Sequence, residues 1–261
     1  ILKTTDGGYN WYAVYENDTK GMFLDAMDFD DKGNAYVIGD PVEGYLFRAF
    51  SIDYGEHWAE MQQVSPAMNV KQGEAFFAAS GTNIRFSGDK NYPVLYVTGG
   101  LSSRLFYRDK FYDLNIVQGK ESTGANSVAN NSKGTTAVIV CGDFSKDSSS
   151  HQNCVITQLD KEPVFKLPQT PPHGYRSCVE YITKDKLITC GTSGPHAAIW
   201  LRGWPANVSN WPPIQILSPV AMRVSTMGDQ KLSVTSPKVV SSAPETGSSP
   251  ATPRCADPCT E

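Results

Sequence analysis

Thr4-Thr5-Asp6-Gly7-Gly8-Tyr9-Asn10-Trp11 and Ser51-Ile52-Asp53-Tyr54-Gly55-Glu56-His57-Trp58 both read (S/T)-x-D-x-G-x-x-W. The residue types describe a hairpin corner. An Asp carboxylate can accept the turn's own amides, a Gly can take a positive φ, and a Trp can fold back over the strands. Two copies of one corner point to a repeated module.

A second pattern recurs between and beyond the corners. Tyr36-Val37-Ile38-Gly39-Asp40, Tyr96-Val97-Thr98-Gly99-Gly100, Ile139-Val140-Cys141-Gly142-Asp143 and Ile188-Thr189-Cys190-Gly191-Thr192 are short β-branched or aromatic strands that run into Gly. Each follows another strand-like run, at 23–29, 75–80, 126–130 and 177–181. Tyr107-Arg108-Asp109-Lys110 and Gln158-Leu159-Asp160-Lys161 stand where further corners belong, with the Asp kept and the Gly lost. Asp6, Asp53, Asp109 and Asp160 therefore mark steps of 47, 56 and 51 residues. A unit of this length holding four short strands predicts an all-β fold, a β-propeller of four-stranded antiparallel blades.

On this reading the chain opens in the last hairpin of one blade. Whole blades are expected at 21–62, 70–115 and 123–168, and the first two strands of another at 173–194. That leaves about four blades in 1–194, an incomplete ring with sequence expected before residue 1. Within 195–216 the repeat breaks off at Pro195-His196-Ala197-Ala198, and no Asp-x-Gly follows. Residues 217–261 are rich in Ser, Pro and Thr and lack periodicity, the composition of a disordered tail. A natural tail and a frameshift near residue 195 both fit this break. A box-like S-x-D-G-G-x-x-W in another reading frame would select the frameshift.

Composition narrows the function. A net charge of −4 offers no basic field for a phosphate backbone, which argues against nucleic acid as a partner. No apolar run is long enough for a membrane-spanning helix. The six cysteines form no CxxC pair and the four histidines are scattered, so no metal is expected. No G-x-G-x-x-G follows a strand, and no cofactor is expected. Cys141 with Cys154, and Cys178 with Cys190, flank short turns and could form two disulfides in an oxidising compartment; buried free thiols are the other reading. Cys255 and Cys259 fall in the tail. Asn17, Asn130 and Asn207 open N-x-(S/T) triplets.

The motif copies, with Met22–Phe29, Ile38-Gly39-Asp40-Pro41, Gly73–Thr82 and Gly174-Tyr175-Arg176-Ser177, resemble the Asp-box (BNR-repeat) β-propellers of the photosystem II assembly factor Ycf48-like kind, over residues 1–194. That resemblance implies an exported protein, secreted or periplasmic, which binds a protein or glycan ligand without turnover. Asp6, Trp11, Asp53 and Trp58 would then be structural corner residues. The channel mouth would be lined from the heads of the innermost strands by Asp25, Glu74 and Arg176, with Asp40, Asp143 and Arg104 on the same rim.

The rival reading within the superfamily is a sialidase-type glycoside hydrolase. It requires three arginines on a carboxylate, a Glu-activated Tyr and an Asp acid/base. Arg48, Arg104, Arg176, Tyr175 and Glu74 are the available residues. The Arg-Ile-Pro signature of those enzymes is absent; Leu46-Phe47-Arg48-Ala49-Phe50 is a faint echo of it.

Overall fold

The computed structural model describes residues 1–61, 70–183 and 186–194, and the backbone of 196–201 and 204–206. The predicted tail, Asn207, Cys255 and Cys259 lie outside the described residues. Among the described residues every regular element is a strand and every pairing is antiparallel.

A hairpin of β1 (Leu2–Lys3) and β2 (Tyr12–Ala13) comes first. The first four-stranded sheet is a simple meander of β3 (Leu24–Phe29), β4 (Ala35–Val42), β5 (Tyr45–Ser51) and β6 (Ala59–Glu60). The second is less regular. Its innermost strand is split into β7 (Glu74–Ala75) and β8 (Ile84–Phe86), and the next into β9 (Val94–Val97) and β10 (Gly99–Gly100). β11 (Arg104–Tyr107) and β12 (Lys110–Asp113) complete it. The third is again a meander, of β13 (Thr123–Asn130), β14 (Thr136–Asp143), β15 (Cys154–Gln158) and β16 (Val164–Lys166). β17 (Cys178–Thr183), β18 (Lys186–Cys190), β19 (His196–Leu201) and β20 (Trp204–Ala206) make the fourth. The backbones of β19 and β20 thus pair as third and fourth strands within the stretch where the repeat pattern breaks off.

Strand alternation turns these sheets into blades. On β9, Leu95 and Val97 enter one core while Val94 and Tyr96 enter another. On β14, Ala137, Ile139 and Cys141 face the second sheet, and Val138 and Val140 face the fourth. A sheet buried on both faces between its sequence neighbours is a propeller blade, and the period of two supplies both faces from one strand. Fully buried Leu95 and Ile139 each contribute about 1.5–3 kcal/mol by leaving water. The innermost strands β3, β8, β13 and β17 adjoin in that order. The Phe86 amide donates to Asp28 (2.9 Å) and the Val179 amide to Ser127 Oγ (3.0 Å). Arg85 spans the axis, bonding Glu180 of the fourth blade at 2.7 Å, with Asp28 of the first 3.9 Å away.

The second and third blades share a backbone ladder, because Gly99 pairs with both Ala75 and Gly124. Gly124 has φ +120°, and a Cβ there would sit 2.6 Å from the Gly99 Cα. Only a residue without a side chain lets the two backbones meet there.

The two corner motifs carry the same bonds. In the first, Gly8 N donates to Thr4 Oγ1 (2.9 Å), Asn10 N to Asp6 Oδ1 (2.9 Å) and Trp11 Nε1 to the Gly8 carbonyl (2.9 Å). In the second, Gly55 N donates to Ser51 Oγ, His57 N to Asp53 Oδ1 and Trp58 Nε1 to the Gly55 carbonyl, at 2.9, 3.0 and 3.2 Å. Amide donation holds both carboxylates well below their usual range, Asp6 at about 2. The two degenerate copies differ. Arg108 and Asp109 both have positive φ, forming a two-residue hairpin turn in place of the carboxylate-bonded corner. Asp160 accepts from its neighbour's amide, Lys161 N, at 2.7 Å.

Two sequence expectations are corrected here. The run 75–80 is not one strand: beyond Ala75 the chain leaves the sheet, turns at Gly81 (φ +63°) and rejoins at Ile84. Cys141 and Cys154 are not cross-strand partners either. Cys154 stands opposite Val140, so the two thiols lie in different cores on opposite faces of the blade. Cys178 and Cys190 are directly opposite each other. All four carry free thiols.

Candidate functional site

At one end of the innermost strands the chain leaves a cleft of about 500 Å³. Phe23, Asp25 and Asp40 come from the first blade, and Phe76 to Ala79 from the loop that breaks the second. Phe144 comes from the third blade, and Tyr175, Ser177 and Thr192 from the fourth. Every blade contributes, as expected where strand ends converge on a propeller axis.

Local irregularities aim these groups. Register slips between Leu24 and Ala26 leave Asp25 as the extra residue of a β-bulge. Asp40 sits at a second bulge, between Gly39 and Pro41, and Asn126 at a third, between Ala125 and Ser127. A bulge turns a side chain out of the alternation of its strand, which makes it a common device beside binding sites. Asn126 accepts the Tyr175 hydroxyl at 3.1 Å and so fixes that ring. Phe144 stands nearly perpendicular to Phe77 (90°, centroids 6.3 Å apart) and to Tyr175 (86°, 6.4 Å).

The carboxyls lie beneath this rim. Asp25 is 7% exposed, against 55% for Phe23 and 53% for Phe144. Its Oδ2 is buried and has no hydrogen-bond partner. Burial, and then the charge of Asp40, push the Asp25 carboxyl up to about 7. Asp40 accepts the Phe76 amide at 3.1 Å, tying the broken strand to the first blade.

The other residues expected at the mouth are engaged elsewhere. Glu74 and Arg104 neutralise each other in a buried two-point bond, Nε to Oε1 at 2.8 Å and Nη2 to Oε2 at 2.5 Å. Thr98 Oγ1 and the Lys71 amide also donate to the Glu74 carboxylate. The guanidinium of Arg104 also lies 3.8 Å from the centroid of Phe111. Arg176, 1% exposed, donates to the Gly194 carbonyl (2.6 Å) and to Ser193 Oγ, holding its own blade's loop. Asp143 accepts Ser145 N (2.9 Å) and Oγ (2.5 Å), and these bonds hold its carboxyl low. Asp6, Trp11, Asp53 and Trp58 lie in the corner turns, apart from the residues lining the cleft. Of the six rim candidates, the cleft gathers Asp25 and Asp40.

Sequence reading missed the aromatic rim and Arg85. Phe23 and Phe144 adjoin strand-end residues it did select, Leu24-Asp25 and Asp143, which was the available signal.

These features define a class, a β-propeller with an acidic, aromatic-rimmed cleft at its strand ends. No protein-family model matches the chain, and no curated protein matches it. Among solved structures, it is similar to a protein of unknown function from Dyadobacter fermentans, with 12% identity and a TM-score of 0.44 over 78% of this chain. This chain spans about 60% of that protein's length. It is also similar to YCF48 bound to D1 peptide, with 13% identity and a TM-score of 0.32, covering 77% of this chain and 71% of that one. A third is a GH43 endo-arabinanase from Bacillus licheniformis, with 13% identity and a TM-score of 0.34, covering 66% and 69%.

Proposed function

We propose that this protein is a non-catalytic, exported propeller of the Ycf48-like assembly or scaffold type, secreted or periplasmic, that binds a protein or glycan ligand at its channel mouth. The observation that carries this reading is the cleft. All four blades contribute to it, and its floor of two carboxyls lies under exposed rings. Exposed aromatics around a concave site are what a binding surface needs and what a purely structural strand end would bury.

The sialidase-type alternative draws no support from the arginines. Arg48 lies 5.7 Å from the centroid of Phe106, Arg104 holds Glu74, and Arg176 holds its own loop. No arginine lines the cleft among the described residues. One observation does favour a hydrolase, a carboxyl held near neutrality beside a second one, as an acid catalyst requires.

Capture from an envelope or culture-supernatant fraction tests the binding reading. A specific partner retained by the parent and lost by Phe23→Ala and Phe144→Ala supports it; retention by both variants removes the cleft from the interaction. A fluorogenic glycoside and sialoside panel tests the alternative. Turnover abolished by Asp25→Asn would replace the binding reading with an enzyme.

A further inference from the structure

We propose that the cleft takes a lysine side chain of the protein ligand, with the alkyl stem crossing the aromatic rim and the ammonium seated on the carboxyls of Asp25 and Asp40. This inference rests on the reading of the channel mouth as a ligand site.

The charged residues lining the cleft are Asp25 and Asp40, and no basic side chain lines it among the described residues. Elsewhere the protein satisfies its buried acids from within the fold: Glu74 has Arg104, and Asp143 has the amide and hydroxyl of Ser145. The acidic floor of the cleft is left to be complemented from outside.

One carboxyl oxygen of that floor lacks a partner. Asp25 is more than nine-tenths buried and its Oδ2 has no donor, an arrangement native structures rarely leave without a use. An ammonium brings three donors and can reach oxygens of two different carboxyls. An arginine fork prefers both oxygens of one carboxylate, and Asp40 Oδ1 is already occupied by the Phe76 amide.

Depth and ring geometry also suit a lysine. The floor lies below Phe23 and Phe144, so a cation reaches it across apolar surface, which suits a charged head on a methylene stem. Phe144 stands nearly perpendicular to both Phe77 and Tyr175, and the faces of such rings attract a cation. A sugar is less well served. It favours an open flat ring and many hydrogen-bonding groups, whereas beyond the acids the polar lining is Ser177, Thr192 and a Tyr175 hydroxyl already bonded to Asn126.

The test follows the phenylalanine NMR signals of the full chain during titration with a capped Ala-Lys-Ala peptide. Parallel arms use the norleucine and arginine versions and a neutral oligosaccharide panel. The lysine peptide is expected to shift the Phe23, Phe77 and Phe144 signals and to bind at least ~tenfold more tightly than norleucine, the margin of an ammonium between carboxylates and rings. Binding should weaken at least ~tenfold from pH 8 to pH 5 as Asp25 takes up its proton. The other titratable groups facing Asp25 are Asp40 on β4 and the Tyr175 hydroxyl across the cleft. Asp25→Asn, nearly isosteric, and Phe144→Ala, at an exposed position, should each abolish the preference for lysine. Asp113→Asn, far out on β12, should leave it intact.

Equal binding of norleucine, or lysine binding unaffected by both cleft variants, overturns the proposal, as does arginine binding more tightly than lysine. An oligosaccharide that moves the cleft signals when the lysine peptide does not also overturns it, while the channel-mouth reading stands. If no probe moves the cleft signals, the lysine proposal falls, and the capture experiment with Phe144→Ala decides the broader reading separately.

Discussion

Arg104 meets Glu74, thirty residues earlier in the chain, through two parallel bonds inside the second blade, with the Glu74 side chain fully buried. The pair pins β7, a strand of two residues, against the start of β11. Removing one member strands the other charge in the interior. Arg104→Met and Glu74→Leu are each expected to cost about 3–5 kcal/mol in urea denaturation, and the double variant to recover much of the loss.

Asp25 sets a pH dependence of the opposite sign to most carboxylates. Its folded value near 7 lies above the unfolded value of about 3.9, so the native state holds an extra proton between them. Stability from this group is intact below pH 4, falls as pH rises through that window, and is fully lost above 7. Asp25→Asn is therefore expected to match the parent near pH 4 and to exceed it at pH 8. The gain should be on the order of 2 kcal/mol after solvent screening, read from denaturation midpoints at the two pH values.

Cys178 and Cys190 face each other across β17 and β18. The hydrogen bond from the Cys190 thiol pulls Cys178 down to about 6 and raises its partner. Burial pushes Cys141 up and Cys154 up to about 12. Iodoacetamide at neutral pH should therefore alkylate Cys178 well before Cys141 or Cys154, by about tenfold or more, as peptide mapping would show. Its rate should climb through pH 6. Mild oxidation should join Cys178 to Cys190 and leave Cys141 and Cys154 as thiols.

The corner motifs predict a local effect. Asp53→Ala removes the acceptor of the His57 amide, and exchange at that amide is expected to quicken roughly tenfold while the β14 amides stay protected. Because the carboxylate is held low, this protection is present above pH 4 and fades as pH falls further.

The blades were legible because their information is local. Tyr36–Asp40 and Ile139–Asp143 are β-branched or aromatic runs into Gly whatever lies beside them, and the corner fixes Asp53 to Trp58 by bonds within eight residues. The broken inner strand was not legible. Phe76-Phe77-Ala78-Ala79 reads as strand by composition, and what diverts it is a turn at Gly81 and a tether from the Phe76 amide to Asp40 on another blade. The site divides the same way. Asp25 and Asp40 could be selected as acids at strand ends. That Glu74, Arg104 and Arg176 would be engaged within the fold depended on partners that spacing does not reveal. Arg85 was invisible for the same reason, since Asp28 and Glu180 lie on two other blades.

The ladder through Gly99 and Gly124 also governs how this sequence can change length. A residue inserted beside Gly99 would shift the register of two sheets at once and force a side chain between backbones already in contact. The turn 160–163 joins the two outermost strands of a single sheet, β15 and β16, and is free of that constraint. Insertions should therefore be accepted in the outer turn and rejected at the inner glycines, leaving the axis fixed in length while the outer edge diversifies.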